Sequence, residues 1–405
     1  MPGQRRIPVK PERMLAELDH LRRIGGAGKG VRRPAFSDAD IEARVWLAGR
    51  MKEAGLDAVA DPWGNLFGLP PGDGPCLLVG SHSDTQPLGG WLDGIYGVAC
   101  GLELARAARE AGGPRIAAVS FQDEEGRFGG LTGSAVWAGA IAEDAADQLT
   151  DAQGITLAEA RRRAHEIAEI REVPSALFSA YIEAHIEQGP VLERAGKTLG
   201  VVEAIVGVRS AALVFSGEAN HAGTTPMHLR RDAVRGFYRF ATELDAAFAP
   251  LVTERTVWTL GRIVVEPNAP SIVPGSATVS VQMRDPDVAR LDHMLAEVLA
   301  VADRVAKAQK LDLSVTPGFT ADPVPMDVRM IDALADAAAR IAPKRWHRMP
   351  SGALHDATNV SRVLPSAMLF VPSIGGISHN PDEDTKRPDL EAGLLALAEA
   401  ISRLS

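Results

Sequence analysis

The stretch Cys76-Leu77-Leu78-Val79-Gly80, followed at once by Ser81-His82-Ser83-Asp84, constrains the fold of this chain more than any other. A short, continuous apolar run closed by polar residues reads as a strand buried on both faces, and it predicts a parallel sheet covered by helices. Open α/β sheets collect their ligands at the carboxyl ends of such strands, so the polar tail of this run is where chemistry is expected. The pattern recurs: residues 115–121 (RIAAVSF) form a second apolar strand ending in Gln122-Asp123-Glu124-Glu125, and residues 181–185 form a third ending in His185. Helical patterns at 15–23, 38–54, 97–111 and 157–169 flank these runs, giving an α/β alternation of strand and helix.

From about Gly207 the rhythm changes. Strand 210–215, helix 230–248, strands 257–265 and 277–284, helix 286–307 and strand 311–316 follow in the order βαββαβ, which predicts an α+β unit with both helices on one face of its sheet. The first pattern then resumes, with a helix at 328–341, a strand at 367–371 and a helix at 388–404. The chain therefore reads as a discontinuous α/β domain, residues 1–206 and 319–405, into which an α+β domain, residues 207–318, is inserted. A length of 405 residues accords with two domains, because single cores stop growing near about 250–300 residues.

Charge and composition remove several function classes. A net charge of -9 argues against a nucleic-acid partner, which needs a concentrated basic face. No apolar run approaches the roughly 18 residues of a membrane span. The basic N-terminus, with Arg5, Arg6 and Lys10, lacks the apolar stretch of a secretory signal and reads as a solvated tail. Cys76 and Cys100 alone are too few for a disulfide framework and lack metal-ligand spacing, so a reduced, cytoplasmic chain is expected.

Within the α/β half, His82 and Asp84 stand two residues apart, so in an extended strand both side chains point the same way and the carboxylate is expected to support the imidazole. Asp93 sits in a glycine-rich loop (Gly89, Gly90, Gly94, Gly97), and His379 lies between Gly375-Gly376 and Asn380-Pro381. Taken singly, each has an ordinary reading: a solvated acidic turn for Glu124-Glu125, an interior histidine for His185, a loop residue for His379. Taken together, at the ends of successive strands, they suggest a site where one carboxylate binds metal and its neighbour handles protons. Imidazole and carboxylate donors without cysteine suit Zn, Mn, Co or Ni.

The segments GSHSDT (80–85), DGIYGV (93–98), QDEEGRF (122–128), AHIEQGP (184–190), NHAGTTPM (220–227) and GGISHNPDE (375–383), in this order, resemble the N-carbamoyl-L-amino-acid hydrolase and allantoate amidohydrolase branch of the M20 metallopeptidase superfamily. The resemblance covers nearly the whole chain. It implies two divalent ions per subunit, zinc first among the candidates, one held by His82 and His185, the other by Glu125 and His379, with Asp93 bridging them. It implies Glu124 as general base, His221 as the donor opposite the metals, and Gln188, His221, Asn268, Arg284 and His355 as substrate ligands. It further implies that the inserted domain is a lid and dimerisation element of a homodimer. One departure stands out: Leu354, in Ser351-Gly352-Ala353-Leu354-His355-Asp356, occupies a position where the family usually has glycine. The implied reaction is hydrolysis of a carbamoyl (ureido) amide on a small carboxylate, an N-carbamoyl-L-amino acid or allantoate. An M20 aminoacylase or dipeptidase acting on N-acyl amino acids is the enzymatic alternative, and a metal-binding scaffold without catalysis the non-enzymatic one.

Overall fold

The computed structural model describes residues 7–404 and has two compact units: the chain up to Glu203 together with Pro325 onward, and Ala204–Val324. Arg5 and Arg6 lie outside the described residues, whereas the Lys10 main-chain N–H donates to Glu103 Oε1 at 2.7 Å. Among the described residues no helix is long and apolar enough to cross a membrane.

The first unit is built on a mixed sheet with a parallel centre. The Cys76–His82 strand lies between Ile116–Phe121 and Phe178–Ile186, parallel to both, and Ser366–Val371 continues the parallel set beside Phe178–Ile186. These are the continuous apolar runs of the sequence, and their inner residues are buried, as a sheet covered on both faces requires. The helix Ile95–Glu110 packs on this centre closely enough that a Cβ at Gly101 would stand 2.3 Å from the Val79 carbonyl oxygen. Antiparallel strands Leu66–Leu69 and Asp57–Ala60 extend one side and Leu199–Ile205 the other. Because the parallel strands share a direction, their carboxyl ends bring His82, the turn after Phe121, His185 and the loop after Val371 to one edge.

One segment departs from the sequence reading. Residues 157–169 do not form a single helix but a four-residue helix, Leu157–Ala160, followed by a 3₁₀ turn, Arg161–Glu166. In this stretch Arg161 reaches Asp147 at 2.6 Å and Arg163 reaches Asp38 at 2.8 Å, partners in other segments that the helical period does not reveal.

The second unit has an antiparallel sheet in the order Val257–Glu266, Ser276–Asp285, Gly207–Ser216, Asp312–Pro317. Burial alternates strictly along Ser276–Asp285, so Val279, Val281 and Met283 face the core while Gln282 and Arg284 face away. The helices Ala233–Phe248 and Val288–Gln309 cover the core face with Phe240, Leu244, Leu291, Met294 and Val298. Each helix starts on an aspartate whose side chain accepts main-chain N–H groups: Asp232 from Val234 and Arg235, Asp287 from Arg290. A short ribbon pairs Asn220–His221 with Ile272–Val273.

Candidate metal centre and active site

The carboxyl edge of the parallel sheet gathers acids and imidazoles that share one carboxylate. Asp93 Oδ1 is 3.1 Å from His185 Nε2 and 3.8 Å from His82 Nε2, while Asp93 Oδ2 is 3.3 Å from His379 Nε2. His379 Nε2 lies 3.4 Å from Glu125 Oε2. Among the described residues two groups contain Asp93, His82 with Asp93 and His185, and Asp93 with Glu125 and His379, and in each the ligand atoms lie within 4.8 Å of one another, as they do in a third group, Glu183 with His185 and His355.

Main-chain carbonyls fix the inner imidazoles. His82 Nδ1 faces the Asp84 carbonyl at 3.1 Å and His185 Nδ1 the Ile186 carbonyl at 2.8 Å, so in each neutral ring Nδ1 carries the proton and Nε2 is the acceptor, which on His185 takes the Gly94 main-chain N–H at 3.1 Å. His82 Nε2 is buried without a hydrogen-bond partner. Gly94, at φ +66°, brings the loop so near that a Cβ there would stand 2.3 Å from that nitrogen.

Asp84 behaves differently from the expectation that its carboxylate supports His82. Its Oδ1 is 3.7 Å from His82 Nδ1, and the carboxylate instead accepts the main-chain N–H groups of Glu124, at 3.4 Å, and Glu125, at 3.2 Å. The Cys76–His82 strand has ended before Asp84, so the two-residue alternation no longer holds and the side chain turns to the acidic turn.

Glu124 shares the electrostatics of the buried acids near it, Asp84 and Asp356. Burial, and after it the charges of Glu125, Asp356 and Asp93, push its carboxyl well above the ordinary range. Its Oε2 stands 3.5 Å from His82 Nε2, outside all three groups. Burial also holds the His82 imidazole down, at about 3, so it is neutral. For His185 burial pulls the same way, but the hydrogen bond and charge of Asp93 outweigh it and leave it at about 9. An orphaned imidazole nitrogen and crowded carboxylates fit divalent cations, which compete with those protons and let neighbouring acids ionise together.

Other predicted residues fall in two places. In the first unit, Gln188 has a left-handed backbone (φ 58°), and its Nε2 donates to Asp93 Oδ2 at 3.0 Å. His355, expected to meet substrate, is 1% exposed, packs against the His185 ring at 4.5 Å and meets Ser351 Oγ through Nε2 at 2.8 Å. That geometry favours support of His185 over open contact. In the second unit, His221 Nδ1 accepts the N–H groups of Gly223 and Thr224 at 3.0 and 3.2 Å, so the neutral ring carries its proton on Nε2. Asn268 is exposed in the loop after Val257–Glu266, and Arg284 Nε donates to Gln282 Oε1 at 3.2 Å.

The sequence reading assigned nothing to Gln86, whose side-chain N–H donates to Glu125 Oε2 at 2.6 Å, or to the buried Arg44, which holds the carbonyls of Ser120 and Phe121 at 3.0 and 2.6 Å. For Gln86 a signal existed, since it directly follows the GSHSDT segment. Arg44, in the middle of a helix, gave none.

Residues 78–403 match the model of peptidase family M20/M25/M40. An N-carbamoyl-L-amino-acid amidohydrolase of Paenarthrobacter aurescens is 34% identical over 98% of this chain and 99% of the relative. An allantoate amidohydrolase of Escherichia coli (strain K12) is 33% identical over 93% of each. The crystal structure of an amidase of the hydantoinase/carbamoylase family from Burkholderia phymatum superposes with a TM-score of 0.92 at 41% identity, covering 98% of each chain. With matches that run the length of both units, the chain belongs to the M20 metallopeptidases, among their hydantoinase/carbamoylase amidases, and is a hydrolase of linear amides.

Proposed function

We propose that the chain hydrolyses the ureido C–N bond of an N-carbamoyl-L-amino acid or a related ureido acid such as allantoate. With an N-carbamoyl amino acid, one water is consumed and ammonia, carbon dioxide and the amino acid are released. The observation that carries this reading is Asp93, with Oδ1 3.1 Å from His185 Nε2 and Oδ2 3.3 Å from His379 Nε2, beside a partly exposed Glu124 that belongs to neither group. The names of the relatives supply the substrate class.

His82 and His185 would hold one divalent ion and Glu125 and His379 a second, with Asp93 common to both; zinc, manganese, cobalt and nickel all suit these donors. Bound there, the ions would supply Lewis acidity to a water and to the scissile carbonyl. Glu124 takes the proton of that water and returns it to the departing nitrogen. Its place among other acids suits this work, because a carboxylate with a raised proton affinity is a stronger base. His221 donates its Nε2 proton in a hydrogen bond to the carbonyl oxygen as that oxygen gains charge. Arg284 grips the substrate carboxylate with its planar fork, with Asn268 and Gln188 as further polar contacts.

The unit Ala204–Val324 is read as a lid that also joins two copies in a homodimer. Support comes from the edge strand Val257–Glu266, on which Val257 is 57% and Ile263 49% exposed, an apolar edge that solitary proteins usually protect. A monomer in sedimentation at micromolar concentration would remove this part of the reading. Two unbridged, buried cysteines support a reducing, cytoplasmic setting.

The test is a panel of N-carbamoyl amino acids, allantoate, N-acetyl amino acids and dipeptides on metal-reconstituted protein. Ammonia release from the ureido compounds is expected; turnover confined to acyl or peptide amides would replace this reading with an aminoacylase or dipeptidase.

A further inference from the structure

Glu383 closes the GGISHNPDE segment, and the reaction sketched above gives it no part. Its side chain is nevertheless among the most deeply placed acids of the first unit, 2% exposed. Glu383 Oε1 accepts two adjacent main-chain N–H groups, those of Leu92 and Asp93, each at 3.1 Å. Glu383 Oε2 accepts the Ser378 hydroxyl at 2.8 Å, and the same hydroxyl lies 3.4 Å from Asp93 Oδ2. The loop before Asp93 rests directly on this carboxylate: a Cβ at Gly90 would stand 1.9 Å from Oε1. These contacts join positions some 290 residues apart in sequence. One carboxylate thus fastens the main chain of the residue common to both ligand groups and, through the residue before His379, the loop that supplies the outer imidazole.

We propose that Glu383 is a positioning residue for the metal centre, setting the angle at which Asp93 presents Oδ1 to His82 and His185 and Oδ2 to His379 and Glu125. The physical reason is leverage. Asp93 has to serve two groups with one carboxylate, so a small rotation of its main chain that improves one contact spoils the other. Two hydrogen bonds accepted by one oxygen from successive N–H groups are an effective way of stopping that rotation. Acceptor geometry, rather than net charge, is what Glu383 contributes. A carboxamide of the same length keeps an oxygen for the two N–H groups, whereas a carboxylate one methylene shorter withdraws from them.

The inference rests on the metal-binding reading above, and its test reads metal affinity rather than turnover. Glu383→Gln, Glu383→Asp and Glu383→Ala are compared with wild type by chelator competition for Zn²⁺ and for Mn²⁺, with circular dichroism to establish folding. Thr385→Val is the control for general loosening, since the Thr385 hydroxyl holds the Pro372 carbonyl at 2.8 Å in the same loop without touching Asp93. Glu383→Asp and Glu383→Ala are expected to lose roughly ten- to hundred-fold in affinity, the usual cost of removing a partner of a metal ligand. Glu383→Gln and Thr385→Val are expected to stay close to wild type. If Glu383→Ala fails to fold, the Asp and Gln variants decide. Unchanged affinity in folded Glu383→Asp, equal losses in Gln and Asp, or an equal loss in Thr385→Val would each overturn the proposal. A wild-type chain that binds neither ion overturns the metal-binding reading and this inference together, whereas wild-type binding with indifferent variants overturns only the inference.

Discussion

The two units bury different things. The interior of the second is hydrocarbon: Leu213, Phe240, Val279, Met283, Leu291 and Val298 are buried together beneath two helices. Its buried charges, Arg209 and Asp285, sit at the ends of paired strands, where Arg209 meets Asp292 and Asp322 and Asp285 meets Arg290. The first unit instead buries His82, Asp84, Asp93, Glu183, His185, Asp356 and Glu383 along one sheet edge. Burying charge costs several kcal/mol per group unless partners offset it, so such a concentration marks a site kept for chemistry rather than for stability. Stability and function are therefore expected to respond to different substitutions in the two units.

The sharpest way to break this contrast is Asp93→Ala. Removing the carboxylate common to both ligand groups is expected to strip bound metal and bring ammonia release down to the uncatalysed level; retention of either would show that the groups do not depend on Asp93. Next is Phe240→Ala, in the second core, expected to cost about 3–5 kcal/mol of stability in denaturant unfolding. The fraction that remains folded should bind metal as wild type does. A loss of metal affinity without loss of stability would reverse the assignment of the two units. Smaller still is Arg284→Lys. Replacing a two-pronged grip by a point charge is expected to cost about 1.5–3 kcal/mol in kcat/KM for an N-carbamoyl amino acid, with metal content unchanged. An unaltered kcat/KM would remove Arg284 from substrate binding.

Much of this was legible in the sequence, for reasons that differ between the units. In the second, the two-residue period is clean along Ser276–Asp285, and the strands Gly207–Ser216, Val257–Glu266 and Ser276–Asp285 fall on the expected runs. In the first, His82 and His185 stand out because polar side chains abruptly close apolar strands. Short strands such as Asp57–Ala60 and Leu66–Leu69 escaped, since four residues give too little alternation to separate from a loop. What local pattern cannot carry is partnership across the fold. Asp84 looks like the partner of His82 by spacing, yet its carboxylate is spent on N–H groups forty residues away. Likewise the resemblance makes His355 a substrate ligand, while the fold packs it against the His185 ring. Glu383 belongs to a recognisable segment, but its reason for being there is a loop near Asp93 that no periodicity links to it.

We propose a division of labour at that sheet edge, in which five side chains would hold metal and Glu124 would move the proton without holding any. The most direct test is to measure, on the same preparations of wild type and Glu124→Gln, bound metal per chain and ammonia release from an N-carbamoyl amino acid. The carboxamide keeps the size of the side chain and loses the base, so metal content should be equal in both proteins while kcat falls by about 10²–10⁴-fold. Loss of an ion in Glu124→Gln would make Glu124 a ligand, and a variant that keeps both its ions and most of its kcat would place the base elsewhere.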